Sequence, residues 1–282
     1  MVRQTGAVTD LQGLARRDHV CWAYDEVAEY SAAARQFLLD GLDRGERLLC
    51  VGEVAIRSAT EGDAALPDAS ELVRTGRLDL LPLSDAYFSD GRPRSLRDQL
   101  RFYSKAVEQA LADGYAGLRV AAELSDLTGE PEQWAAQVEW ERAADRFIVS
   151  GPGMATLCAY RVDLVAKTLS TQLLEVHPLT GGAPALAEFR LFHDDDALVL
   201  TGEIDGFVAD RLQALLDCTS AGGRRVTLDV AGVTFIDAAA TSALAAWVEA
   251  LADRGTEVRL RGAGRMLRRI WSVLGFREPV FS

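Results

Sequence analysis

From His19 onward the chain alternates short apolar runs with longer segments of helical period, and few folds accept that rhythm. Strand-length runs separated by helix-length segments are the pattern of βα units in a parallel sheet, because a parallel strand pair needs a crossover long enough to hold a helix. The pattern predicts strands at 19–24, 47–52, 78–82, 118–124 and 154–160. Between the first two, EVAEYSAAARQFLLDGLDRG sets Ala33, Phe37, Leu38 and Leu42 on one helical face, with Gly45 as a C-terminal stop. Further helices are predicted over 95–113 and 131–148, the second opening on Pro131 at a favoured first-turn position. Before the first of these, SDAYFSDGRPRS is turn chemistry, and its Tyr87 and Phe88 either line a pocket or pin the loop to the core.

A chain of 282 residues exceeds what one compact core covers, so two domains are expected. LTGGAPALA, with two glycines, a proline and no charge, reads as a linker over 179–187, between domains at 1–178 and 188–282. Beyond it the order reads ββαβαβα: strands 188–193 and 197–202 around an Asp-rich turn, helix 206–221, strand 224–230, helix 238–253, strand 256–261 and helix 264–274.

The net charge of −12 and pI near 4.8 repel phosphate backbones and anionic lipids, so neither nucleic acid nor membrane is expected as a direct partner. No apolar run reaches the length of a membrane span, and the first residues lack an apolar signal segment, so a cytoplasmic protein is expected. Cys21, Cys50, Cys158 and Cys218 show no C-x-x-C spacing and read as reduced, mostly buried thiols.

The stretches LVLTGEIDGF, RRVTLDVAGVTFIDAAATSAL, RGTEVRLRGAG and MLRRIWSVLGF resemble the STAS domain of bacterial anti-sigma factor antagonists, over about 187–282. Independently of the family, Asp237 ends a β-branched run just before an alanine-rich helix, where an N-cap is wanted. The family pattern there is Asp-Ser-Ser-Gly, and its second serine is phosphorylated by a serine kinase that is also the anti-sigma factor. Here the four residues are Asp237, Ala238, Ala239 and Ala240, so the acceptor position falls on Ala239 and has no hydroxyl. Thr241 and Ser242 follow in the first turn, either as displaced acceptors or as hydroxyls serving the helix end. The resemblance implies docking on an anti-sigma factor or another serine-kinase-like, ATPase-fold protein through Glu203, Asp205 and Asp237–Ser242, without the usual phosphorylation switch.

DHVCWAYD, FLLDGLDRGERLLCVGE, DAYFSDG, LRVAAEL, LCAYRVD and the pair His177–Pro178 resemble the MEDS domain, a bacterial sensory domain of the DcmR type related to RecA-like ATPases, over about 18–178. The expected fold is therefore α/β: a RecA-like parallel-sheet sensory domain, then a STAS domain with helices packed on a mixed sheet. A phosphate loop would follow the strand at 47–52, but GEVAIRSA has neither the glycine-rich loop nor the lysine, and Glu53 opposes a triphosphate.

The remaining ligand position is the crevice at the carboxyl ends of the strands, with Gly52, Glu53, Glu123, Ser125 and Tyr160 as candidates. With the aromatic loop and the polar residues of the strands, the candidate sensory set for an unknown small molecule is His19, Cys21, Tyr24, Glu53, Tyr87, Glu123, Cys158, Tyr160 and His177. His19, Cys21, Cys158 and His177 have metal-ligand chemistry, but their spacing does not require a metal, and no metal or other cofactor is expected. With three histidines and no serine–histidine–acid arrangement, catalysis is not expected. The reading is a sensor joined to a docking module. The alternatives are residual nucleotide binding or ATP hydrolysis in the first domain, or a non-switching scaffold that forms homo-oligomers.

Overall fold

The computed structural model describes residues 3–151, 153–183, 187–219 and 224–282. The chain divides into two compact units, residues 1–186 and 187–282. No helix among the described residues is long and apolar enough to cross a membrane.

In the first unit, seven strands form one sheet in the order β1-β9-β2-β8-β7-β3-β4, every neighbouring pair parallel. They are β1 (Gly6–Ala7), β2 (His19–Tyr24), β3 (Arg47–Val51), β4 (Leu78–Leu81), β7 (Leu118–Glu123), β8 (Met154–Arg161) and β9 (Leu179–Gly182). The helices are α1 (Val27–Asp43), α2 (Glu53–Thr60), α3 (Ala69–Arg74), α4 (Leu83–Tyr87), α5 (Leu96–Ala112), α6 (Pro131–Ser150) and α7 (Lys167–Glu175). β7 is buried along its whole length and β8 along all but its last residue, as expected of central parallel strands covered on both faces. The helix facing β2 and β3 does bury Ala33, Phe37 and Leu38, which join Val20, Leu48, Ala121 and Leu157 in the core.

The turn-rich segment near residue 90 folds into a hairpin, β5 (Phe88–Ser89) and β6 (Arg92–Pro93). Its two-residue loop is Asp90-Gly91, both at positive φ, the geometry that matches the natural twist of a hairpin. The segment expected as a linker from residue 179 begins instead as β9, which lies inside the sheet between β1 and β2. The glycine there serves close approach, not flexibility: a Cβ on Gly181 would lie 2.5 Å from the Trp22 ring. Residues 184–186 of the expected linker lie outside the described residues.

In the second unit, β10 (Phe189–Asp194) and β11 (Ala197–Ile204) pair antiparallel, while β12 (Arg225–Ile236), β13 (Glu257–Arg261) and β14 (Val280–Phe281) add on in parallel, giving a mixed sheet. Its helices are α8 (Ala209–Asp217), α9 (Ala238–Asp253) and α10 (Arg265–Val273). Phe189, Leu200, Leu212, Leu228, Leu244 and Trp271 are among its buried core side chains. The strand predicted to stop at 230 continues to Ile236 and delivers Asp237 to the start of α9. Residues 220–223, within the helix expected at 206–221, lie outside the described residues.

Candidate functional site

In a parallel pair, residues in register share a face, and so do residues two apart on one strand. β2 and β8 align Cys21 with Cys158 and His19 with Thr156, so His19, Cys21, Cys158 and Tyr160 all face one side of the sheet. Residues four apart on a helix lie on one stripe, and Gln137, Glu141 and Asp145 of α6 form such a stripe, each of them buried.

His19 Nδ1 lies 3.3 Å from Asp145 Oδ1, and its Nε2 lies 3.2 Å from Glu141 Oε2 and 3.4 Å from Cys158 Sγ. His177, carried between α7 and β9, sets its ring 4.1 Å from that of His19, tilted by 45°. Its Nδ1 donates to the Leu173 carbonyl at 2.6 Å, and its Nε2 has no hydrogen bond although Glu141 Oε2 is 3.4 Å away. The other Glu141 oxygen accepts from the Tyr160 hydroxyl and, at 3.2 Å, from the Gln137 amide, which also donates to Tyr160 at 2.7 Å. Asp145 is held in turn by Arg3 at 2.7 Å.

Burial disfavours charge on His19, but Asp145 and Glu141 outweigh it and push its pKa up. Burial and the neighbouring His19 push His177 down. Burial by itself would raise the Glu141 carboxyl; the two imidazoles outweigh it and hold the acid well below the usual carboxylate range. Burial, then Glu141, lifts the Cys158 thiol well above its ordinary value.

A cavity of about 390 Å³ adjoins this cluster, lined by Tyr87, Phe88, Arg94, Gln99, Leu127 and Trp140 among others. That volume falls within the range of small-molecule sites. Trp140 meets Tyr87 edge-on at 5.9 Å and stacks on Tyr103 at 5.7 Å, which gives the cavity an aromatic wall. Gln137 belongs both to the wall and to the Tyr160–Glu141 hydrogen bonds, so the two features touch through one side chain.

The other predicted residues are more dispersed. Glu123 is buried at the end of β7 and accepts from Tyr24 at 3.0 Å, from the Ser125 amide at 3.3 Å and from the Ser125 hydroxyl. Gly52 packs so tightly there that a Cβ would sit 2.6 Å from the Glu123 carbonyl, at a φ of 96°. Glu53 is exposed on the first turn of α2. His19 opens β2 at its amino end and His177 precedes β9, so neither histidine sits at the carboxyl ends of the strands. The sequence reading missed Gln137, Trp140, Glu141 and Asp145; the three polar residues share a four-residue spacing on one helix, and Trp140 carried no such signal.

In the second unit Asp237 accepts from the Ala240 amide at 2.9 Å through Oδ1 and from the Gly206 amide at 2.8 Å through Oδ2. One carboxylate thus caps α9 and fastens the loop after β11 to it. Asp205 shapes that loop by accepting from the Phe207 amide at 2.9 Å; Phe207 stands 92% exposed, Gly206 before it lies against Ala239, and Glu203, Ala238 and Ala239 are exposed. Sequence reasoning passed over Phe207. Thr241 is buried and donates to the Asp237 carbonyl at 2.6 Å, while Ser242 donates to the Ala238 carbonyl at 2.7 Å. Ala240 is buried under the first turn.

Fold and site together define a two-domain α/β protein with a buried polar cluster in the first domain and a capped, exposed helix start in the second. Two family models match it: one described as the MEthanogen/methylotroph, DcmR Sensory domain (MEDS) over residues 18–178, the other as Mlab, STAS domain over residues 189–281. The chain belongs to the MEDS family and carries a STAS domain behind the sensory one. It is also similar to the flagellar accessory protein FlaH from Methanocaldococcus jannaschii, at 12% identity over 66% of this chain and 76% of that one, with a TM-score of 0.36. That likeness is too distant to bear on function. No curated protein matches the chain.

Proposed function

We propose that this protein is a non-catalytic, cytoplasmic regulator of bacterial signal transduction, in which the STAS domain docks on an anti-sigma factor or a related serine-kinase-like, ATPase-fold protein, and ligand occupancy of the MEDS domain controls that docking. The observation that carries the reading is the platform around Asp237. Its carboxylate ties the 203–207 loop to the start of α9, bringing Gly206 against Ala239, and the next residue, Phe207, projects at 92% exposure. A large exposed aromatic on a rigid, hydrogen-bonded support has the chemistry of an interface anchor.

Control by phosphate at this platform has poor support. Ala239 offers no hydroxyl, and the hydroxyls of Thr241 and Ser242 already donate to backbone carbonyls. The sensory domain supplies an alternative input, since its cavity of about 390 Å³, with an aromatic wall beside polar side chains such as Arg94 and Gln137, has room for a small molecule.

Capture of anti-sigma factors from the same cell by the full-length protein tests the docking. Wild type is expected to retain one of them, and Phe207→Ser to lose at least about tenfold in affinity, as interface anchors do when truncated. Retention of no anti-sigma factor by wild type, or equal binding by Phe207→Ser, would overturn the reading.

A further inference from the structure

We propose that His19, Glu141, Cys158 and His177 form a closed, four-coordinate site for a divalent transition metal of the zinc class, buried beneath α6 in the sensory domain. One ligand atom from each of the four residues lies within 4.8 Å of all the others, and every side chain is buried. Cys21, though aligned with Cys158 on the neighbouring strand, is not one of the four.

The spacing fits an ion. A tetrahedral centre with bonds of about 2.0–2.3 Å holds its donors roughly 3.3–3.8 Å apart. The measured separations are 3.2 Å from His19 Nε2 to Glu141 Oε2, 3.4 Å from His19 Nε2 to Cys158 Sγ, and 3.4 Å from His177 Nε2 to Glu141 Oε2. The tautomers fit as well. A carbonyl can only accept, so the Leu173 contact places the proton of His177 on Nδ1 and leaves the Nε2 lone pair facing a carboxylate oxygen with no hydrogen bond between them. A metal ion between the neutral His177 Nε2 and the Glu141 carboxylate would satisfy both groups. His19 is arranged likewise, its Nδ1 directed at Asp145, which Arg3 anchors. A carboxylate or carbonyl behind each imidazole is the outer shell that orients metal-ligating histidines.

The donor set selects the metal. Two imidazoles, a thiolate and a carboxylate suit zinc, cobalt(II) or iron(II), and reject magnesium and calcium, which take oxygen ligands. A dipositive ion with ionised Glu141, the Cys158 thiolate and two neutral imidazoles is electrically neutral as a unit, which lowers the cost of burying it. Binding displaces the Cys158 thiol proton to solvent. With four protein ligands and no open position, the centre has the form of a structural site.

Cobalt(II) titration of the metal-stripped, reduced full-length protein tests the site, in a Cys218→Ser background that removes the exposed thiol. One equivalent should develop visible bands of tetrahedral intensity and a near-ultraviolet sulfur-to-cobalt band, and one equivalent of zinc should abolish both. Cys158→Ser should lose the near-ultraviolet band, and Cys21→Ser should keep it. Asp145→Asn, which removes no ligand but weakens the support of His19 together with the Arg3 ion pair, should weaken cobalt binding about 10- to 100-fold. A folded wild-type protein that develops no cobalt bands would sink the proposal, and so would a sulfur-to-cobalt band that survives in Cys158→Ser or disappears in Cys21→Ser. If Cys158→Ser does not fold, the wild-type and Cys21→Ser spectra decide. The site does not rest on the docking reading: absent cobalt bands would leave partner capture untouched, and failed capture would leave the spectrum untouched.

Discussion

Asp237 and Glu123 are both acids that close a strand, and their surroundings give them opposite tasks. Asp237 is half-buried and spends its two oxygens on backbone amides, one in its own helix and one in the neighbouring loop. Glu123 is buried, and desolvation raises its pKa; hydrogen bonds from Ser125 and Tyr24 pull it only partly back, and the nearby Asp126 charge adds to the rise. The folded protein therefore holds the Glu123 proton to higher pH than the unfolded chain does. As pH climbs through the ordinary carboxylate range the unfolded chain ionises first, so this residue lowers stability from there upward, until the folded form has ionised as well. Glu123→Gln cannot ionise, so its stability relative to wild type should rise between pH 4 and pH 7. Urea unfolding of both proteins at the two pH values measures the difference; a difference that stays constant or falls would show that the carboxyl is not strained by burial. The sequence offered both Glu123 and Tyr24 as candidate residues, but they lie 99 residues apart in the chain and only the sheet brings the two together.

At the scale of elements, strands and long helices were legible because their apolar periods are local properties of the chain. β2, α1, α5 and α6 begin and end within two or three residues of the predicted bounds. The polar stripe of α6 was not legible. That helix carries acids or arginines at 132, 139, 141, 142, 145 and 146, and nothing in their spacing says which face meets the sheet. β7 conceals a second buried charge. Arg119, fully buried, contacts Glu46 at 2.5 Å, Asp40 at 3.1 Å and the Leu14 carbonyl at 3.1 Å, with its guanidinium 4.7 Å from the centre of the Phe37 ring. These contacts fasten the segment before β2 and the end of α1 to the middle of the sheet. Arg119→Met keeps much of the side-chain volume but leaves Glu46 buried without its closest cation, and should cost about 3–5 kcal/mol. Chemical denaturation of the full-length protein should register it, and a loss under about 1 kcal/mol would mean that Glu46 finds another partner or water.

For the whole molecule the question is where control enters. The capped helix start is kept while Ala239 stands where the family resemblance puts the phosphoacceptor, so on the function proposed above docking persists without a phosphate switch. Ala239 is exposed in the first turn, where free amides and the helix dipole tolerate a phosphate. Ala239→Ser should therefore become a substrate of the kinase partner in the presence of ATP, while wild type stays unmodified, as intact-mass measurement would record; phosphate on wild type at Thr241 or Ser242 would contradict this. What the sequence by itself determined is whatever depends on neighbours along the chain: the βα rhythm, the turn-forming segment around Asp90-Gly91, the helix cap at Asp237, and the missing phosphate loop and phosphoacceptor. It also pointed to His19, Cys158 and His177 as residues with ligand chemistry. Tertiary structure alone decided that these three meet one another and Glu141, that Cys21 stands outside the group, that residues 179–182 are a strand within the sheet, and that Phe207 is exposed. The physical reason is that sheet register and helix rotation are set by packing between segments more than a hundred residues apart, and no local period records that packing.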